Sequence, residues 1–128
     1  MPATASKPAT ASKPTLKVLY GESDEKVLAA HTAEFKKAGH QVTAVLDRTG
    51  VQEELQRNSF DLVILGATLS KDDRHHLPYM VKKTHKNTKV LVCHAGTRHH
   101  EVDAAVDSGM SMGFLLEKIA GLFQPAVR

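Results

Sequence analysis

The stretch that decides the fold is Phe60-Asp61-Leu62-Val63-Ile64-Leu65, which reads FDLVIL. Apart from Asp61 every side chain in it is apolar. A strand with one wet face alternates apolar and polar residues. A run without alternation suits a central strand covered on both faces. Covering both faces of a parallel sheet takes crossover helices, so the flanking segments should alternate between helix and strand.

They do. Upstream, Leu16 to Tyr20 (LKVLY) reads as a first strand, followed by a polar turn, Gly21-Glu22-Ser23-Asp24. Glu25 to Ala38 places Val27, Leu28, Ala30, Phe35 and Ala38 at helical spacing, with Ser23 or Asp24 as N-cap and Gly39 as the stop. Gln41 to Leu46 (QVTAVL) is a second strand. Thr49 or Gly50 opens a helix that runs through Val51 and Leu55 to about Asn58. Downstream, Gly66 to Asp73 reads as a polar loop. Asp72 or Asp73 caps a helix through Tyr79, Met80 and Val81 to Lys86, with Pro78 placed near its first turn. Lys89 to Cys93 (KVLVC) is a fourth strand. His99 to Ser108 reads as a short helix ending at Gly109. A last helix runs from Gly113 to Phe123 with Leu115, Leu116, Ile119, Leu122 and Phe123 on its apolar side. Only Met110-Ser111-Met112 is left for a fifth strand, which is therefore expected to be short or missing.

Strands alternating with helices give a parallel sheet with right-handed crossovers. Four or five strands in about 110 residues suit an α/β, flavodoxin-like doubly wound sheet in the order 2-1-3-4-5. In such sheets ligands bind at the carboxyl ends of the strands. Here that rim is Gly21–Asp24, Gly66–Asp73 and His94–His99.

The bulk numbers allow this. A chain of 128 residues fits one domain. Hydrophobic content of 41% and charged content of 24% are ordinary for a globular protein. Residues 2–14, PATASKPATASKP, repeat a six-residue unit without one large apolar side chain, so residues 1–14 are expected to be a disordered tail. The domain then spans 15–124, and 125–128 form a short C-terminal tail. Formal net charge is +3, but removing Lys7 and Lys13 of the tail leaves 15 basic and 14 acidic residues. That balance does not make a nucleic-acid-binding face. The one dense basic cluster, Lys82, Lys83, Lys86 and Lys89, reads as a solvated face. No apolar run approaches the roughly 20 residues of a membrane span. There is no apolar signal-peptide core. Cys93 is the only cysteine, so no intrachain disulfide forms, and a reducing, cytoplasmic setting is expected.

At the rim the sequence resembles the receiver (CheY-like) domain of two-component response regulators, over roughly residues 15 to 124. LKVLYGESDEKV is similar to the first strand and acidic turn of receivers, commonly KILIVDDDPEV. FDLVILGATLS is similar to their third strand, commonly PDLVLLDLMLP. KVLVCHAG is similar to their fourth, commonly PVIVLTAH. Receivers accept a phosphoryl group on an Asp at the end of strand 3. A Mg²⁺ on the acidic turn assists, with a Thr or Ser after strand 4 and a Lys after strand 5. The resemblance puts the acidic pair on Glu22 and Ser23, the acceptor on Gly66 and the hydroxyl on His94, with no counterpart of the Lys. One carboxylate survives. Glycine has nothing to phosphorylate, and Glu22 with Asp24 nearby is a poor ligand set for a hard cation. The resemblance therefore implies a degenerate, pseudo-receiver variant.

Other constellations are weaker. His75, His76, His94, His99 and His100 fall in or beside the rim loops, but none is paired at the helical spacing that binds metal. Cys93 and His94 are neighbours on a strand and point to opposite faces. Ser70, Asp72 and His75 contain the residue types of a hydrolase triad, without a nucleophile elbow. No glycine-rich nucleotide motif is present.

The expectation is a non-catalytic signalling module of the phosphorelay type, with no cofactor and no metal. It would act by binding a protein partner or by dimerising. In receivers the helix 4–strand 5–helix 5 face is the usual contact surface, and here Met110, Met112, Phe114 and Phe123 surround it. Two alternatives stand beside it: a phosphorylatable regulator with a displaced acceptor such as Ser70 or Asp72, and a small-ligand or metal-binding domain using the rim histidines. No nucleic-acid or membrane partner is expected.

Overall fold

Alternating strand and helix segments close into one parallel sheet with helices on both faces. The computed structural model describes residues 15–94, 102–106 and 111–123. Its elements are β1 (Lys17–Glu22), α1 (Glu25–Lys37), β2 (Gln41–Leu46), α2 (Asp47–Arg57), β3 (Leu62–Leu65), α3 (Lys71–Thr84), β4 (Lys89–Val92), β5 (Ala104–Ala105) and α4 (Met112–Phe123). The strand order is β2-β1-β3-β4-β5, and every pairing is parallel. This is the flavodoxin-like order expected from the sequence, with a fifth strand of two residues.

The central strands explain the unbroken apolar run. All four residues of β3 are buried. Leu62 and Ile64 face one layer, with Val18, Tyr20 and Leu91, and meet Leu28 and Phe35 of α1 and Leu115 and Ile119 of α4. Val63 and Leu65 face the other, with Leu19, Val90 and Val92, and meet Val51 and Leu55 of α2 and Leu77 and Val81 of α3. The period of two along each strand divides the apolar residues between the two layers.

Several boundaries differ from the sequence expectation. β1 does not stop at Tyr20 but continues through Gly21 and Glu22, both buried. Pairing with β2 extends to Glu22↔Leu46, and this holds the segment extended. β2 passes into α2 without a loop: Asp47, at a φ of 59°, makes the turn, and the helix begins there rather than at Thr49 or Gly50. Gly50 lies in the first turn of α2, where a Cβ would come within 2.7 Å of the Val45 Cβ. α3 starts at Lys71, capped by Ser70 rather than Asp72 or Asp73; its hydroxyl accepts from the Asp73 N–H at 3.1 Å. Pro78 is inside α3, not near its first turn, and cannot donate to the Arg74 carbonyl. α4 begins at Met112, one residue earlier than expected.

The largest correction falls within the helix expected over His99–Ser108, of which residues 102–106 are described. Ala104 and Ala105 form β5, paired with Leu91 and Val92. Asp103 directs this outcome. Its N–H donates to the Val90 carbonyl at 2.9 Å. Its carboxylate accepts from the Val90 N–H and from Lys82 Nζ, both at 2.8 Å. Lys82 also donates to the Thr88 carbonyl at 2.7 Å. One member of the supposed solvated lysine face is thus a strand clamp. The fifth strand lies there; of the segment expected to hold it, Met112 opens α4 and Met110 lies outside the described residues. The tails expected at 1–14 and 125–128 lie outside the described residues.

Two outcomes test this packing. Ile119→Ala should lower unfolding stability by about 2–5 kcal/mol in a denaturant titration, because its side chain is fully buried under the sheet. Phe114→Ala on the same helix, at 44% exposure, should stay within about 0.5 kcal/mol. The second concerns His40, whose Nδ1 accepts from the Leu16 N–H at 3.2 Å and whose pKa burial pushes below 6.5. The unfolded chain then binds the proton more readily, so this group's contribution is complete above about pH 6.5 and is lost as pH falls below it. Stability measured from pH 7 down to pH 5 should fall less steeply in His40→Gln than in the parent.

Candidate functional site

Strand alternation puts Val18, Tyr20 and Glu22 on the same side of β1, toward α1. Two of these are ordinary core residues and the third is a carboxylate at 1% exposure. A buried carboxylate is tolerated only when hydrogen bonds replace its water. Glu22 has them. Tyr20 Oη donates to Glu22 Oε2. The Thr68 N–H and hydroxyl both donate to Oε1, at 2.9 and 2.6 Å.

The network extends in both directions. On one side Tyr20 Oη lies 2.9 Å from His31 Nδ1 on α1. The phenol has a single hydrogen and gives it to the carboxylate, so His31 Nδ1 must donate to the phenol oxygen. The His31 side chain is 43% exposed and opens this chain of groups to solvent. The Tyr20 ring stacks on it at 6.2 Å and meets Phe35 edge-on at 5.1 Å. On the other side Thr68 Oγ1 accepts from the N–H groups of Ser23 and Asp24, at 2.8 and 3.1 Å. Asp24 in turn caps α1 through the Lys26 and Val27 N–H groups. One hydroxyl therefore joins the β1–α1 turn, the β3–α3 loop and the buried carboxylate.

Gly66 stands against this carboxylate. A Cβ at position 66 would lie 1.8 Å from Glu22 Cδ and 2.0 Å from each carboxylate oxygen. The end of β3 is glycine because Glu22, coming from β1, fills the space that any side chain there would need. The environment shows in the neighbouring groups. Burial, then the Glu22 hydrogen bond and charge, raise the Tyr20 hydroxyl far above its ordinary value. Burial first and Glu22 second push the Cys93 thiol up to about 12. Cys93 lies just past β4, half-buried, rather than within the strand. It is a poor nucleophile.

The other candidates separate. Ser23 is exposed and takes part only through its main chain. His94 is exposed, as are His75 and His76 on α3, while His99 and His100 lie outside the described residues. Among the described residues no three His, Cys, Asp or Glu side chains come together to hold a metal ion. Ser70 is a helix cap and Asp72 is exposed. Met112 and Phe123 pack against the core, Phe114 is exposed, and Met110 lies outside the described residues. Sequence reasoning missed Tyr20, His31 and Thr68. The available signals were a tyrosine in an otherwise aliphatic strand and a hydroxyl two residues after the glycine.

Solved structures similar to this chain include response-regulator receiver domains. The chemotaxis response regulator CheY4 of Vibrio cholerae is 16% identical and matches with a TM-score of 0.74, over 86% of this chain and all of its own. A Francisella response regulator receiver domain is 19% identical, with a TM-score of 0.73, over 84% of this chain and 96% of its own. TrrA of Thermotoga maritima, solved in complex with Mg²⁺-BeF, is 16% identical, with a TM-score of 0.72, over 83% of this chain and 97% of its own. No family model matches the sequence, and no curated protein matches it. The chain has the CheY-like receiver fold, and at these identities the likeness is one of fold. No helix among the described residues is long and apolar enough to cross a membrane.

The close approach of Gly66 and Glu22 predicts strong non-additivity. Gly66→Ala should cost about 1–3 kcal/mol through overpacking. Glu22→Ala should also destabilise, by stranding the Tyr20 and Thr68 donors. In the double variant the Gly66→Ala penalty should largely vanish, because the clashing carboxylate is gone. A double-mutant cycle by chemical denaturation measures this coupling.

Proposed function

We propose that this chain is a receiver-like signalling module of the two-component type that accepts no phosphoryl group, catalyses no reaction and works by contact with another protein. The observation that supports this best is Glu22. The carboxylate at the end of β3 is supplied from β1, at 1% exposure, with both oxygens engaged by Tyr20 and Thr68. Transfer to it would require breaking those bonds and opening the rim.

The ligand set points the same way. A hard Mg²⁺ needs about six oxygens in near-octahedral geometry. Both Glu22 oxygens are committed, Ser23 brings no charge, and Asp24 is held as the α1 cap. These residues do not fit the cation that assists phosphotransfer in receivers. A displaced acceptor has no better support. Ser70 would have to surrender its cap on α3, and Asp72 stands exposed.

What remains is a stable scaffold that presents surface to a partner, in the cytoplasmic setting expected from the sequence. Of the α4 candidates Phe114 is the exposed one. Incubating the full chain with a small-molecule phosphodonor and Mg²⁺ should leave its intact mass unchanged. A gain of one phosphoryl group would overturn the proposal, and loss of that gain in Glu22→Gln would then name Glu22 as the acceptor.

A further inference from the structure

β2 is the outermost strand on its side of the sheet, and its open edge is unguarded. Gln41 donates its N–H to the Leu16 carbonyl of the segment leading into β1, at 2.9 Å. Main-chain groups of successive strand residues point to alternate sides. Gln41, Thr43 and Val45 therefore bond β1, while Val42, Ala44 and Leu46 aim their N–H groups away from the sheet. Among the described residues no strand lies beyond them. Edge strands are commonly protected by a charge, a proline, a bulge or shortness. β2 has none of these. It is six residues long, reads QVTAVL, and pairs with β1 in unbroken register. Ala44 and Leu46 are exposed although apolar, so the edge is reachable.

We propose that this edge is a docking surface for a second copy of this chain, paired antiparallel through β2 about a two-fold axis at Ala44. This rests on the reading of the chain as a module that acts through protein contact. The register follows from the outward groups. Ala44 faces Ala44 of the partner copy, and the two exchange N–H and C=O. Val42 faces Leu46 of the partner copy, and its carbonyl accepts the Leu46 N–H. Val42, Ala44 and Leu46 share one face of the strand, so the pairing also brings apolar side chains together. Charge complements it. The strand is preceded by Lys36 and Lys37 of α1, Lys37 lying 4.0 Å from Glu34, and followed by Asp47. Antiparallel pairing sets the basic end of one copy near the Asp47 end of the other. Arg48, next along, is drawn toward Asp73 at 3.7 Å.

A second copy is the favoured occupant because the strand complements itself and the contact closes. Pairing of β2 with β2 uses the same edge of both copies, so the assembly stops at a dimer. The opposite edge, β5, has only two paired residues and gives little template for further growth. The junction behind β2 is rigid. The strand passes directly into α2 through the left-handed Asp47, with Gly50 seated on Val45. A contact of two strands lies at the small end of interface sizes, so the dimer should form with concentration.

The test is molar mass by sedimentation or light scattering on the full chain, across about 1 μM to 1 mM. The expected result is a rise from 13.9 kDa toward twice that value. Ala44→Lys and Ala44→Glu should each remain monomeric, since each places a like charge opposite itself on the axis. Mixed in equal amounts they should regain the doubled mass, as a heterodimer. Phe114→Asp should dimerise like the parent. A parent chain that stays monomeric throughout overturns the proposal. So does a dimer that survives both Ala44 variants, or an unrestored mixture, because either places the contact elsewhere. Thermal melting of each variant confirms that it is folded. The phosphodonor result is independent of this one, so each proposal can fail alone.

Discussion

The buried carboxylate of Glu22 is the constraint on which the rim depends. It sits at the end of a core strand, where a charge is tolerated only with full hydrogen bonding. Tyr20 from the same strand and Thr68 from the neighbouring loop supply those bonds. Each partner is then held by something else, Tyr20 by His31 and Thr68 by the α1 turn. Removing the carboxylate would strand three donors on two segments at once. Keeping it requires glycine at position 66, because the two groups would otherwise occupy the same space.

This arrangement gives the receiver fold a different centre. In the resemblance drawn from the sequence, the strand 3 end carries the reactive group and the strand 1 turn carries charge for a metal. Here the strand 1 carboxylate leans into the strand 3 position and becomes part of the core. The result is a closed polar network bounded by Phe35 on one side and by the turn residues Ser23 and Asp24 on the other. His31, at 43% side-chain exposure, connects it to solvent on the α1 side. The hydrogen bonds that would yield to a ligand in an open site are instead spent on joining β1, α1 and the β3–α3 loop.

The same sheet leaves its two margins very different. At one, Asp103 and Lys82 secure a strand of two residues, and the short pairing suffices because charge-assisted bonds hold it. At the other, β2 offers six residues with no charge or proline among them. The doubly wound topology covers the faces of the sheet with helices and leaves this edge open.

Much of the fold was legible in one dimension. The apolar run Leu62–Leu65, the helical spacing of Leu28 and Phe35, and Asp24 ahead of α1 are local signals, and they specify the alternating sheet and its order. Sequence did not show that Gly21 and Glu22 continue β1, since a glycine beside an acidic residue has the local chemistry of a turn. It did not show β5 either, because Ala104 and Ala105 have helical propensity and become a strand only through Asp103 and Val90. Tertiary structure alone decided that Glu22 lies under Gly66 with Tyr20, His31 and Thr68 around it. Glu22 and Thr68 are 46 positions apart, and nothing local relates them. What residues prefer is written along the chain. Which buried charge meets which donor is settled only when strands separated in sequence are brought side by side.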